Sequence, residues 1–541
     1  MIKRTIVIPC AGDFQNSNSG FVNYSSNAML PLNGKPVISW IIDNLKEKKI
    51  NDIIIVSRLE DNNLNDFLDW AYNDIKLVHV EEFKTNSILD SISAGLSNFH
   101  ISEDHVISVL LGDTLIFDTF HDDLDFLYFG SKNDSKKWCY LEVDTNSNLI
   151  NLYDDIRNDS IESQVACGFY NFTKGKIFFE TLKECINHHK IEISDVIKGY
   201  KKKFPFKVIE CKNWFDLGHI DGILNSKRKL ISSRSFNSLN INPILNTITK
   251  TSQNNEKLRD ELNWYKLLPE ELKVLSPRLL STSTNDNTVT IVQEFYGYPT
   301  LAELFLFSKI TKSIWSEIFR HLFILNSEFK KYTHSFNDNV YHDIYVNKTI
   351  ERVNKLREQQ EFNNLFKYDT IIINGLEYKN LPILLDKFIQ KLSLLNNTNS
   401  NTHIIHGDFC FSNILFDVNS FIIKLIDPRG SFGVKGIYGD SRYEIAKLRH
   451  SALGKYDFIV SNLFKIKLNQ NEINYTIATN ENYNIVKDIF DEFVIKYDYN
   501  LEEIKLIETS LFISMLPLHA DNLNRQLMLY VTGIIKLNEL I

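Results

Sequence analysis

The chain has 541 residues, too many for a single core, so two or three domains are expected. It is 43% hydrophobic and 24% charged, as in ordinary globular proteins, and a net charge of -8 without a basic, aromatic-interleaved stripe argues against a nucleic-acid partner. No apolar run reaches the ~18 residues of a membrane span, and the six cysteines form no C-x-x-C pair, which sets aside a disulfide framework and a zinc site and makes the cytoplasm the expected compartment.

Residues 1 to about 230 alternate between strand and helix patterns. "RTIVIP" reads as a strand that runs directly into "AGDFQNSNSGFVNYSSNAMLPLNGKP", residues 11–36. A Gly- and Ser-rich loop after a strand is a usual setting for a phosphate cradle. Gly12 opens the loop, whose backbone amides are candidate phosphate donors. No Lys or Arg lies between Thr5 and Gly34, and Lys35 is the first cation after it. "KPVISWIIDNLKEK" is an amphipathic helix with Ile38, Ile41, Ile42 and Leu45 on one face. "NDIIIVSR" is a strand, "NSILDSISAGLSNF" a helix, and "HVISVLLGDTLI" a strand ending in Gly112-Asp113. This alternation predicts an α/β fold with a parallel, doubly wound, Rossmann-like sheet. Ligands of such sheets sit at the carboxyl ends of the strands, where the opening loop and Asp113 both fall.

The pattern then changes. "KRKLISSRSFNSLNINPILNTITKTS" offers short strands separated by turn residues, "NNEKLRDELNWYKLLPEEL" a helix and "NTVTIVQEFYG" a strand. From Leu301 onward long helical patterns dominate. We therefore expect a domain of residues 1–232 and a bilobal α+β domain of residues 233–541, with a small lobe at 233–300 and a helical lobe at 301–541.

The densest chemistry is in "HIIHGDFCFSNILFD", residues 403–417, followed by "KLIDPRG", residues 424–430. Phosphoryl transfer needs a carboxylate to accept the hydroxyl proton and oxygen ligands to hold Mg²⁺ on the ATP phosphates. Asp408 and Asn413 lie five residues apart, and Asp427 closes a later strand. "NILF" and "FIIKLI" can pair as a hairpin, which would bring Asn413 and Asp427 together. The constellation resembles the aminoglycoside phosphotransferase and choline kinase superfamily. That resemblance implies Asp408 as catalytic base, Asn413 and Asp427 as metal ligands, and His406 as a brace for the loop. It also implies ATP as donor and a protein-kinase-like fold, with a strand Lys paired to a helix Glu. Lys250 in "TITKTS" and Glu261 fit. Glu261 shares a helical face with Leu258, Leu262 and Tyr265, and a carboxylate on an apolar face needs a partner. "IVQEFYG", with Glu294, resembles the hinge that holds adenine. "SRSFNSL", with Ser235 and Asn237, stands where the family has its phosphate-covering loop. Asp440 reads as a helix N-cap.

The first half resembles sugar-phosphate and phosphocholine nucleotidyltransferases in five ordered segments: "VIPCAG", "MLPLNGKPVISWIIDNL", "LLGDT", "VACGFYNF" and "NWFDLGHIDGIL". The resemblance implies Asp113 and Asp216 as metal ligands and a nucleoside triphosphate, CTP being one candidate, as substrate. Related enzymes carry an Arg early in the loop and a P-K pair, where this chain has Ser26-Asn27. Together the two resemblances imply a bifunctional enzyme. One half would phosphorylate a small alcohol, amino alcohol or sugar, and the other would activate the product for bacterial capsule or lipopolysaccharide synthesis. The alternative is a kinase joined to a nucleotide-binding module that regulates or scaffolds without turnover.

Overall fold

The computed structural model describes residues 3–12, 24–81, 87–132, 138–156, 163–218, 220–232, 238–252, 255–285, 288–335, 339–395 and 401–541. Two compact units emerge, one of residues as far as Lys229 and one from Leu230 onward.

The strands of the first unit that bear on its site are β1 (Arg4–Pro9), β2 (Ile53–Arg58), β3 (Lys76–Val80), β4 (Val106–Leu110) and β5 (Thr114–Ile116). They continue with β6 (Phe126–Lys132), β7 (Trp138–Val143), β8 (Leu149–Ile156), β9 (Ser163–Phe172), β10 (Lys207–Glu210) and β11 (Trp214–Asp216). β1 lies between β2 and β4 and runs parallel to both, and β3 is parallel to β2. Strands covered on both faces read as unbroken apolar runs, which is why Ile6, Val7 and Ile8 are all fully buried. The Ile88–Leu96 helix lies so close to the sheet that a β-carbon on Gly95 would come within 2.8 Å of Val56 Cγ2. In the Val37–Glu47 helix, Ile38, Ile41, Ile42 and Leu45 are buried as the periodicity requires.

The sheet is mixed rather than parallel throughout, which corrects the sequence expectation. Beyond β4 it continues through antiparallel β9, which pairs with β6 and β7, while β8 pairs with β7. Parallel pairing needs a crossover, usually helical, and the stretch from Phe126 to Phe172 contains none among its described residues.

The second unit begins inside a helix. Lys227–Ser232, read above as strand-like, forms the end of the Ile220–Ser232 helix. A four-stranded antiparallel sheet follows, of β12 (Ser238–Asn242), β13 (Thr247–Ser252), β14 (Leu279–Thr284) and β15 (Val289–Glu294), in the order β12-β13-β15-β14. Leu258 and Leu262 of the Asn255–Leu267 helix pack with Val289 and Ile291 of β15.

The remainder is largely helical, but it carries hairpins that the helical reading missed. Thr370–Ile373 pairs with Leu376–Lys379, and Phe464–Asn469 with Glu472–Ile477, and the two hairpins join in one sheet. Among the described residues no helix is long and apolar enough to cross a membrane.

Candidate active sites

In the second unit, strands Ile414–Asp417 and Ile422–Leu425 form the expected hairpin, and Ile426 N donates to Asn413 O at 3.0 Å. That register brings Asn413 and Asp427 to the same end. Asp427 sits at φ +56°, a left-handed conformation that Asp and Asn tolerate better than most residues. Asn413 Nδ2 donates to Asp408 Oδ2 at 3.0 Å and also to the Asp408 carbonyl. His406 is buried, and its Nε2–H meets Ile426 O at 3.0 Å, tying the Asp408 loop to the strand that carries Asp427. Burial pushes the His406 imidazole down to about 4, so the ring is neutral.

The small lobe supplies the cation. Lys250 on β13 donates to Glu261 Oε1 at 2.8 Å and to Asp427 Oδ1. Burial would lower the Lys250 ammonium, but Asp427 and Glu261 outweigh it and hold it well above its ordinary range. The Asp427 carboxyl is lowered, chiefly by Lys250, whereas burial pushes Glu261 up against the opposing charge of Lys250. The helix carrying Glu261 is fixed by Trp264, whose Nε1 donates to Ile405 O at 2.7 Å. It also crosses Gly430 so closely that a β-carbon there would lie 2.0 Å from Asp260 O. Lys250, Glu261, Asp427, Asn413 and Asp408 therefore converge from three segments of the chain.

One residue that shapes this site, Lys447, was not singled out from the sequence, whereas Arg442 and Glu444 were read as candidates to shape the acceptor site or to form an ion pair. Lys447 Nζ lies 2.9 Å from Asp408 Oδ1, and its charge overcomes burial to keep the Asp408 carboxyl below its ordinary value. The signal was present in "YEIAKLRHS", where Glu444 and Lys447 fall on one helical face. Glu444 is fully buried and accepts His406 N at 2.7 Å and Gly407 N at 3.0 Å. Asp440 caps the Ser441–Ala452 helix, accepting from Arg442 N, and Arg442 also pairs with Asp440 and Glu503. Arg442 is thus engaged structurally.

Burial pushes the Glu444 carboxyl up to about 8. Its folded value exceeds its unfolded value, so its contribution to stability is complete below the unfolded value and is lost as pH rises to about 8. Glu444→Gln removes this titration and, because an amide NH₂ cannot accept, leaves one of the two N–H groups unpaired. We expect a loss of ~1–3 kcal/mol in acid that narrows toward pH 8. Unfolding midpoints of parent and variant between about pH 4.5 and pH 8 measure this; parallel curves would refute it.

Glu294 ends β15 with its carboxylate engaged locally: Oε2 accepts Arg278 N at 3.2 Å and the Tyr296 hydroxyl at 2.9 Å. The Glu294 side chain is thus committed to the end of its own strand. Ser235 and Asn237 lie outside the described residues.

In the first unit, β1 delivers Cys10, Ala11 and Gly12 to the carboxyl end of the sheet. Gly112 comes so close that a β-carbon there would lie 2.6 Å from Cys10 Sγ. β5 and β11 pair with Asp216 opposite Thr114, and Leu217 N donates to Asp113 O at 2.9 Å. Asp113 and Asp216 thereby flank Gly218: a β-carbon at that glycine would meet Asp113 Oδ2 at 2.7 Å and Asp216 Oδ1 at 3.7 Å. Lys35 is drawn elsewhere, ion-paired with Asp43 and 4.3 Å from the centre of the Trp40 ring. A cation the sequence did not advertise takes up a place at the loop: Arg58, the last residue of β2, donates from Nε to Ala11 O at 2.7 Å. Ser25 Oγ, Ser26 Oγ and Asn27 Oδ1 are buried without hydrogen-bond partners.

Among the described residues no group of three or more His, Cys, Asp or Glu side chains could hold a metal ion by itself. Each site instead offers hard oxygen donors in a small number, Asn413 with Asp427 and Asp113 with Asp216. That donor chemistry fits Mg²⁺, which is commonly held by one or two carboxylates together with substrate phosphates.

No family model matches the chain, and no curated protein matches it. Solved structures do match over its N-terminal region. The CTP:phosphocholine cytidylyltransferase of Streptococcus pneumoniae is 17% identical, covering 42% of this chain and 100% of its own, with a TM-score of 0.35. A UDP-glucose pyrophosphorylase in complex with UDP-glucose is 17% identical over 43% of this chain and 100% of its own, with a TM-score of 0.35. The UDP-glucose pyrophosphorylase of Acinetobacter baumanii is 14% identical over 44% of this chain and 95% of its own, also with a TM-score of 0.35.

Proposed function

We propose that the chain is a bifunctional transferase. Its second unit phosphorylates a small hydroxyl compound with ATP, and its first unit joins that phosphate to a nucleotide with release of pyrophosphate. The observation that carries the reading is the convergence of Lys250, Glu261 and Asp427 beside Asp408 and Asn413. In the kinase step Asp408 accepts the proton of the attacking hydroxyl, and its ionised state suits that role. Lys250, fixed between two carboxylates, orients the ATP phosphates. His406 and Glu444 hold the Asp408 loop. Mg²⁺, when bound by Asn413 and Asp427, supplies charge neutralisation on the phosphates. In the first unit Asp113 and Asp216 would hold the second ion, and residues 1–232 form the nucleotide-binding part. The test is ADP formation by the full chain from Mg²⁺-ATP with a panel of alcohols, amino alcohols and sugars. Pyrophosphate release is then followed with each nucleoside triphosphate.

A second reading, in which the first unit binds a nucleotide without turnover, is favoured by the lack of a cation between Thr5 and Gly34 and by the capture of Lys35. Arg58 at Ala11 favours retained activity. We expect Arg58→Met to weaken nucleoside triphosphate binding, and Asn27→Lys to strengthen it roughly tenfold to a hundredfold, the value of a charge-assisted bond to phosphate. Binding and pyrophosphate release by the full-length variants decide this. No binding in the parent or in either variant would leave the first unit without a nucleotide site.

A further inference from the structure

We propose that the acceptor of the kinase site is an anion: a hydroxyl compound carrying a carboxylate or phosphate group, held by Lys348, Arg352 and Arg429 next to Asp408. The proposal rests on the kinase reading and narrows its substrate class.

The argument begins with charge. The protein carries 60 Lys and Arg against 68 Asp and Glu, so cations without carboxylate partners stand out. Lys447 is paired with Asp408. Lys348, Arg352 and Arg429 have no ion pair among the described residues, and Arg352 Nε is buried with no hydrogen-bond partner. Arg429 Nη1 donates to the Tyr443 hydroxyl at 3.3 Å. Arg429 also lies over the Asp408 loop: its backbone N donates to His406 O, and a β-carbon on Gly407 would meet Arg429 Cβ at 2.8 Å.

The Lys348–Arg357 helix brings the other two cations. It follows a π-helical turn, His342–Asn347. Such turns insert an extra residue and are frequent at functional sites. Here the turn is locked by Tyr345, whose hydroxyl donates to Asp440 Oδ2 at 2.9 Å. It leans on the segment after Arg429, since a β-carbon on Gly433 would meet Val340 Cγ1 at 3.1 Å and Ile344 Cγ1 at 3.4 Å. The cations feel one another. Burial lowers the Lys348 ammonium, with Tyr443 opposing and Arg429, Lys447 and Arg352 adding to the shift. At Tyr443 the charges of Lys348, Lys447 and Arg429 outweigh burial and lower the phenol.

These groups belong to the acceptor rather than to ATP. The nucleotide side of Asp408 is marked by Lys250, Glu261 and Asp427, and none of those three is among the charges acting on Lys348. A hydroxyl approaching Asp408 beside Tyr443 meets three cations without a direct ion pair among the described residues; the carboxylates that feel them are Glu351, which feels Lys348 and Arg352, and Asp408 itself, which feels Arg429. An ammonium-bearing alcohol would be repelled there, and a carboxylate or phosphate would complete the set through charge-assisted bonds.

The test uses the full chain and three probes: glycerate, glycerol 3-phosphate and choline. Equilibrium binding is measured with parent, Lys348→Met and Arg352→Met, and ADP formation is followed with Mg²⁺-ATP. We expect one of the two anions to bind and choline not to. The anion that binds shows whether the group recognised is a carboxylate or a phosphate. Either Met variant should weaken the anion roughly ten- to a hundredfold. ATP affinity should stay with the parent. Binding of choline in preference to both anions, failure of both anions to bind, or a loss of ATP rather than anion affinity in the variants overturns the proposal. Anion binding that depends on Lys348 or Arg352, with no ADP from any probe, sustains the anion site and removes the kinase reading.

Discussion

On the kinase reading, we expect Asp408→Asn to lower phosphoryl transfer by ~10²-fold or more while leaving ATP affinity near that of the parent. The amide keeps the shape of the carboxylate and can still accept from Asn413 Nδ2, which lies 3.0 Å from Asp408 Oδ2. It cannot take the hydroxyl proton. The Lys447 ammonium loses the carboxylate that now stands 2.9 Å away, so part of the cost falls on stability, and the ATP-binding control separates the two. On the kinase reading ATP is met by Lys250 and the segment after Glu294, which this change leaves in place. Turnover within a few-fold of the parent would remove Asp408 from the mechanism.

The second large effect is expected at Asp427. Asp427→Asn preserves the left-handed backbone at φ +56°, because Asn adopts that region as readily as Asp. It removes one of the two carboxylates that hold Lys250, leaving Glu261 at 2.8 Å, and it replaces a charged oxygen donor by a dipole. We expect the Mg²⁺ concentration for half-maximal activity to rise about tenfold or more, equivalent to ~1.4 kcal/mol of ion binding. Asn413→Ala should move it less, since an amide contributes no charge. A Mg²⁺ titration of ADP formation checks the order. Unchanged midpoints in both variants would contradict the assignment of these residues to the ion.

Local signals in the sequence carried the parts of the fold in which one short segment determines its own geometry. The Asn413–Asp427 hairpin was legible because two apolar runs flank a turn. The burial of Ile38, Ile41, Ile42 and Leu45 followed from helical spacing. The mixed sheet was not read correctly, because strands from Phe126 to Phe172 look like any apolar strand and only their short connections disclose antiparallel order. The Thr370–Lys379 hairpin was missed although it carries an Asn374-Gly375 turn with both residues at positive φ, the strongest short-range hairpin signal; the helical patterns around it dominated the reading. At the candidate sites, the Asp408, Asn413 and Asp427 cluster was legible as a motif. Lys348, Arg429 and Lys447 were not, because each alone reads as a solvated charge and only tertiary structure assembles them. Arg58 likewise looks like a strand terminus until β2 is placed beside β1.

The most direct test of the bifunctional account follows a labelled phosphate through both steps. The full chain is given ATP labelled at the γ-phosphate, Mg²⁺, an acceptor that supports ADP formation, and each unlabelled nucleoside triphosphate in turn. The account predicts that the label leaves ATP for the acceptor hydroxyl. It then remains in the diphosphate bridge of a nucleotide-linked product, and the pyrophosphate released from the second nucleotide is unlabelled. Label that reaches the acceptor phosphate but never a nucleotide-linked product, with any of the triphosphates, would contradict it.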